Sequence, residues 1–333
     1  MFFFYAVGLI FFGPLSERFG LKETICFGLL ILSMLMIISF FITNFTNFLI
    51  IRGLQGFWAA SFAPVSFIYV LNVLEKKHHG ITVGVINTGF LSAGVLGQLL
   101  SSSVNLFFHW QAIFLTLAIS YIALLIYAIK KLPKPQIKQE KRSLIQLIRL
   151  LAKLPLQKDL KKLYFITFTT LLAFVAYYTS LENFFQHTLS LSEQAIFAIR
   201  AFGLIGLIVT VFSVKIGHRI GFENTIIAGL LLSLLGLILS MITNIFIIAF
   251  GTIAFVAGIA IIIPSLIHLL GVKGGENRSL TISMYSFILL LGASLGSGIS
   301  IVSNYFSQIV TLLFLLVGSL IVTLLEKRQL SKR

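Results

Sequence analysis

Stretches of Leu, Ile, Phe and Val run for about 20 residues with almost no charge, and they return along the whole chain. Runs of that length fit a bilayer better than the core of a soluble domain, where helices are shorter and carry a polar face. Composition agrees: 58% of the 333 residues are hydrophobic, 11% are charged, and the mean hydropathy is +1.04. Ten acids and 25 bases cannot coat two soluble domains. The runs are continuous rather than alternating, which excludes a lipid-facing barrel and leaves helices. Eleven spans are expected, at roughly 1–15, 25–43, 46–74, 80–103, 109–129, 163–187, 193–214, 224–243, 245–271, 279–303 and 306–325. The single cysteine, Cys26, excludes a disulfide framework and a cysteine-cluster metal site.

Charge placement sets the orientation. Of the 25 Lys and Arg, 23 fall in alternate connections and the tail, while the connections around Asn44, Asn105, His187, Asn244 and Asn304 hold none. Short cytoplasmic loops collect bases, so the C-terminus is expected inside the cytoplasmic membrane. Topology thereby accounts for the net charge of +15, and nucleic-acid binding loses its support. The segment 130–162 carries eleven bases against Glu140 and Asp159. Its Leu144, Leu147, Ile148, Leu151 and Leu154 recur at helical spacing, as suits either a helix on anionic lipids or a tether packed on the bundles. It divides an N-terminal bundle at 1–129 from a C-terminal bundle at 163–333.

The two parts repeat. Arg18 and Arg219, Gly20 and Gly221, Thr24 and Thr225, Gly28 and Gly229, and Gly97 and Gly298 all stand 201 apart, while Asn44 and Asn244, and Pro64 and Pro264, stand 200 apart. Both copies run in one orientation, a parallel repeat of the kind that places a solute between halves. The second copy has six spans and the first has five, so the repeat calls for roughly 40 residues and one helix ahead of Met1.

The first basic loop reads Gly13-Pro14-Leu15-Ser16-Glu17-Arg18-Phe19-Gly20-Leu21-Lys22, which resembles the loop signature of the major facilitator superfamily. A weaker copy, Gly217-His218-Arg219-Ile220-Gly221, sits at the repeat position. Arg52-Gly53-Leu54-Gln55-Gly56 is similar to the family's fourth-helix motif, with Trp58 where a small residue is usual. Gly80, Gly84, Gly89, Gly94 and Gly97 resemble its fifth-helix glycine motif without the usual Gly-Pro pair.

The resemblance implies an all-α membrane protein, a two-bundle facilitator fold with about 11 transmembrane helices, twelve less the first. It implies a monomeric secondary transporter that moves a small solute by alternating access, with proton-coupled efflux as the expected mode. Gly13, Glu17, Arg18, Gly20 and Arg219 would form the conformational-switch loop, and Gly89, Gly94 and Gly97 would pack helices. Arg52 and Gln55, with Glu182 and Arg200, would line the substrate or proton path, because charge inside a membrane is expensive unless paired or functional. Tyr177, Tyr178, Asn87 and Gln98 are further candidates for its lining, and His268 is expected at the membrane interface. No nucleotide-binding signature, nucleophile motif or metal cluster stands out, so no cofactor and no enzyme activity are expected. The alternative is a truncated, non-transporting membrane protein, a scaffold or gene remnant.

Overall fold

The computed structural model describes residues 2–134, 144–302 and 304–330. They form helices α1 (Phe2–Phe19), α2 (Leu21–Phe41), α3 (Phe45–Ala59), α4 (Ala63–Val73), α5 (Lys76–Phe107), α6 (Ala112–Lys131), α7 (Leu144–Lys153), α8 (Lys158–His187), α9 (Glu193–Gly203), α10 (Thr210–Ile220), α11 (Phe222–Leu239), α12 (Ile245–Lys273), α13 (Arg278–Val302) and α14 (Tyr305–Leu330). No strand occurs among the described residues. In them, nine segments are long and apolar enough to cross a membrane; Phe4–Ser16 of α1 is apolar but shorter.

Local chemistry repeats as the sequence does. Gly20 and Gly221 adopt φ of 102° and 88°, backbone that a Cβ disfavours, and each precedes a helix start. The hydroxyls of Thr24 and Thr225 donate to the carbonyls of those two glycines. Asn44 and Asn244 each accept from two backbone N–H groups of the helix that follows, at 2.9 and 3.3 Å and at 3.0 and 3.4 Å, capping α3 and α12.

Two expected spans are each built from more than one helix, though each remains a single apolar segment long enough to cross. The run 46–74 is two helices, because 3-10-type bonds from Ala60, Ser61 and Phe62 tighten the chain just before Pro64, which cannot donate to the ladder. The run 193–214 is α9 and α10 joined by a 3-10 segment, Leu204–Val209. There Gly206 lies so near α12 that a Cβ would stand 2.5 Å from the carbonyl oxygen of Ile253. Pro264, the repeat partner of Pro64, leaves α12 continuous.

Contacts gather the chain into two compact units: Met1–His79, Leu96–Pro155 and Gly274–Phe287 in one, Gly80–Val95, Leu156–Lys273 and Ile288–Arg333 in the other. These units follow the two sequence halves except that part of α5 and the start of α13 have changed sides.

The second unit is held by close helix approach. A Cβ on Gly229 would lie 2.8 Å from the Gly258 carbonyl oxygen, and one on Gly236 would lie 2.5 Å from that of Gly251, so the backbones of α11 and α12 touch. Lipid gives no hydrophobic drive between helices, and such small-residue seams supply packing instead. Helix α8 lies along α14, with Thr169 and Ser319 hydroxyls 2.7 Å apart and Gln308 Nε2 donating to the Ala176 carbonyl at 3.1 Å. In the first unit, Gly28 of α2 meets Ser61 and the Trp58 carbonyl, one repeat length from the contacts of Gly229. The described residues of this unit include no counterpart of α8. Helix α6 buries only Phe114, Ala118 and Ala128, whereas α14 buries Tyr305, Gln308, Ile309, Leu312, Leu316, Ser319 and Thr323.

The basic linker is anchored at both described ends. Leu151 and Leu154 are buried, and α7 packs on α1. Arg149 and Lys153 stay exposed. Glu140 lies outside the described residues.

Candidate transport site

Arg52 stands two turns inside α3, after the Asn44 cap. Its Nη1 donates to Gln55 Oε1 at 2.9 Å. A guanidinium has only donors, so Gln55 must offer its oxygen and turn its amide nitrogen elsewhere. That nitrogen donates to Ser39 Oγ at 2.8 Å and to the Leu35 carbonyl at 3.2 Å, and Gln55 is fully buried. The guanidinium carbon lies 5.8 Å from the Phe114 ring centroid, and no carboxylate pairs with Arg52 among the described residues. A half-buried cation is thus held in a defined direction by an amide and an aromatic face.

The second unit has the other intramembrane arginine. Arg200 Nη1 donates to Glu182 Oε2 at 2.8 Å, uniting two of the expected site residues. The pair is unevenly covered, with the Arg200 side chain 19% and that of Glu182 42% exposed. Arg200 lies over the Tyr178 ring at 5.7 Å, and the Tyr178 hydroxyl donates to the Arg200 carbonyl at 3.4 Å.

Beside this pair, Tyr177 is fully buried with its Oη 2.7 Å from both Ser240 Oγ and Thr252 Oγ1. Tyr305 donates to the Ser240 carbonyl at 3.0 Å. Four helices, α8, α11, α12 and α14, therefore meet at one hydroxyl cluster. Ser240 and Thr252 occupy the repeat positions of Ser39 and Arg52. Sequence reasoning passed over Ser39, Ser240, Thr252 and Tyr305, although the 200–201 register pairs the first with the second and Arg52 with the third.

At the basic ends, the described part of the loop signature fastens helices through Lys22. Arg18 is exposed beside Phe19 with no ion pair among the described residues, and the Glu17 side chain lies outside them. Arg219 is exposed as well. The fastening is Lys22, whose Nζ donates to the carbonyls of Ile129 at 2.8 Å and Leu132 at 2.7 Å and so caps α6. Glu23 pairs with Lys134 at 3.0 Å, and the Tyr69 hydroxyl donates to the Pro133 carbonyl at 2.7 Å. Gly13 sits tight against the Ser283 side chain of α13, and Gly20 supplies its positive-φ turn.

Among the described residues, no atom comes within 4 Å of a Cβ built at Gly89 or Gly97. The close approach is one turn earlier, at Gly84, where a Cβ would lie 3.0 Å from the Thr210 carbonyl oxygen. Gly94, Asn87 and Gln98 have side-chain positions outside the described set. His268 stacks on Phe222 with centroids 3.8 Å apart, and the His218 ring lies 6.0 Å away.

A helical bundle with an internal parallel repeat and oriented intramembrane arginines is the build of a solute transporter. The family model described as Major Facilitator Superfamily matches residues 1–297, and the chain belongs to that superfamily. It is a multi-pass membrane transporter rather than an enzyme. It is similar at 24% identity over 297 residues to an uncharacterized transporter of Buchnera aphidicola subsp. Schizaphis graminum, a match covering 87% of this chain and 71% of that one. It is 30% identical over 118 residues to the multidrug resistance protein MdtM of Escherichia coli O157:H7, covering 34% of this chain and only 29% of that relative. In fold it resembles the Escherichia coli fucose:proton symporter FucP, with TM-score 0.75 and 14% identity over 97% of this chain and 88% of that one.

Proposed function

We propose that the protein exports a small solute across the cytoplasmic membrane by alternating access, coupled to protons, with its base-rich ends and C-terminus in the cytoplasm. The observation that carries this reading is the Glu182–Arg200 pair at 2.8 Å inside the second unit, whose carboxylate is the one acid among the described residues more than a turn from the end of its candidate span, and a group able to exchange a proton. Arg52, oriented by Gln55, presents the complementary cation in the first unit. The multidrug name of MdtM supports export of a small organic solute. Gly13, Glu17, Arg18, Gly20 and Arg219 serve as the switch loop, and the basic segment 130–162 rests on anionic lipid headgroups. The working unit is a monomer.

The test is proton-gradient-driven uptake into inside-out vesicles, measured with one cationic, one neutral and one anionic dye. Flux of at least one dye is expected, and Glu182→Gln and Arg52→Ala should each reduce it at least tenfold. Full flux in both variants sinks the site assignment. Absence of flux for a broad dye panel sinks export.

A further inference from the structure

The fold gives Arg200 a hold that does not pass through Glu182. Helix α9 ends at Gly203, and the Leu204 N–H turns back to the Ala201 and Phe202 carbonyls instead of continuing the ladder to the carbonyl of Arg200. A helix end leaves such carbonyls to other donors, and the Tyr178 hydroxyl takes this one at 3.4 Å. That approach needs a glycine at 203, where a Cβ would stand 2.8 Å from the Tyr178 hydroxyl oxygen and 2.5 Å from Thr252 Cγ2. The same tyrosine presents its ring to the guanidinium at 5.7 Å. Tyr178 therefore holds Arg200 at its backbone and at its charged end. Nε of Arg200 is enclosed with no hydrogen-bond partner among the described residues, so the bond from Nη1 to Glu182 leaves the group partly unsatisfied and the ring face offsets some of that cost.

The first unit shows a guanidinium seated without a carboxylate. Arg52 pairs with no acid among the described residues, yet it is held by Gln55 and lies 5.8 Å from the Phe114 ring, nearly the spacing of Arg200 and Tyr178. An aromatic face with a polar anchor is thus this protein's way of keeping a cation within a bundle.

A proton taken by Glu182 removes the counter-charge of Arg200 for part of the cycle. A long cationic side chain left unpaired in a membrane reaches for water or headgroups. Resting on the reading of Glu182 as the proton-exchanging group, we infer that Tyr178 is a positioning residue that seats Arg200 while Glu182 is protonated, so that the pair re-forms when the proton leaves. Glu182 holds the arginine in one state and Tyr178 in the other, and either hold alone is sufficient.

The experiment measures how fast phenylglyoxal modifies Arg200 in the full chain in lipid nanodiscs, followed peptide by peptide by mass spectrometry. Glu182→Gln stands for the protonated acid, because it keeps the size and cannot ionise. Glu182→Gln alone and Tyr178→Leu alone should each leave the rate within threefold of the parent, since one hold remains. Glu182→Gln/Tyr178→Leu should raise it at least tenfold, and Glu182→Gln/Tyr178→Phe, which keeps the ring, should bring it back within threefold. Arg52, modified in the same samples, reports folding and should change less than twofold; Tyr178→Met replaces Tyr178→Leu if it does not. A rise beyond threefold in Glu182→Gln alone shows that Tyr178 does not hold the arginine, and the same rise in Tyr178→Leu alone shows that it acts through packing; either overturns the inference. A double variant below tenfold overturns it too. The expected pattern without proton-driven flux would sink the proton reading and leave the seat standing.

Discussion

The cluster at Tyr177 allows a count of protons that simple contact counting misses. Tyr177 Oη lies 2.7 Å from Ser240 Oγ and 2.7 Å from Thr252 Oγ1, while Ser240 reaches the Gly236 carbonyl and Thr252 the Ile248 carbonyl, each at 2.8 Å. Four short contacts need four protons, but three hydroxyls own three, so three hydrogen bonds exist at any instant. Tyr177→Phe leaves Ser240 and Thr252 bonded to their own carbonyls and so removes one bond, not two. A side-chain hydrogen bond within a membrane protein contributes about 0.6–1 kcal/mol, which is the expected loss of stability. Ser240→Ala also removes one bond, and the Tyr177→Phe/Ser240→Ala pair removes two. The coupling in a double-mutant cycle should therefore be near zero. Four independent bonds would instead make each single change cost about 1.2–2 kcal/mol and leave a coupling of about one bond, 0.6–1 kcal/mol. Steric trapping in bicelles measures the four free energies. A coupling above half a bond would refute the proton count. Tyr177→Ala is the contrast: it also empties the space against Phe255, whose ring centroid is 4.6 Å away, and should cost about 3–5 kcal/mol.

Gly236→Leu should separate α11 from α12, because even a Cβ would stand 2.5 Å from the Gly251 carbonyl oxygen; its detergent melting temperature should fall well below that of Gly97→Leu, where a Cβ meets no described atom within 4 Å. Lys22→Met removes the cap on α6 and should cost about 1 kcal/mol, detected as faster proteolysis near Pro133, whereas Arg18→Met should leave the cleavage rate unchanged. Asn44→Ala and Asn244→Ala should each cost about 1 kcal/mol in the same trapping assay, since both caps accept the same pair of N–H groups, and losses differing more than twofold would deny that the repeat is energetic as well as geometric. Gly20→Ala and Gly221→Ala should each destabilise by about 1 kcal/mol through their positive φ, with the larger effect at Gly20, where a Cβ would also meet the Glu23 carboxylate.

Much of the architecture was legible because it depends on local or periodic properties. Asn44 and Asn244 announce helix starts by their own side chains, and Gly20 and Gly221 announce turns by having none. That Glu182 and Arg200 need a partner or a role was readable from the expense of isolated charge in a membrane; the structure pairs them with each other. Lys22 shows the limit: the loop signature directs attention to Glu17 and Arg18, but the last base of the motif takes the carbonyls of α6, 107 and 110 positions away. The glycines of α5 show it again. Their spacing alone cannot tell Gly84, pressed against α10, from Gly89 and Gly97, which meet no described atom.

The sequence by itself determined that this chain is helical, spans a membrane and is built twice over, since run length, charge placement and the 200–201 register need no knowledge of packing. Tertiary structure alone decided which faces are inside. Helices such as α11 and α12 are apolar all round, and in lipid an outward Leu is as comfortable as an inward one, so hydropathy carries no record of which side meets a neighbour. Close packing makes that choice, and with it the meeting of Arg52 with Ser39 through Gln55, and of Tyr177 with Ser240 and Thr252.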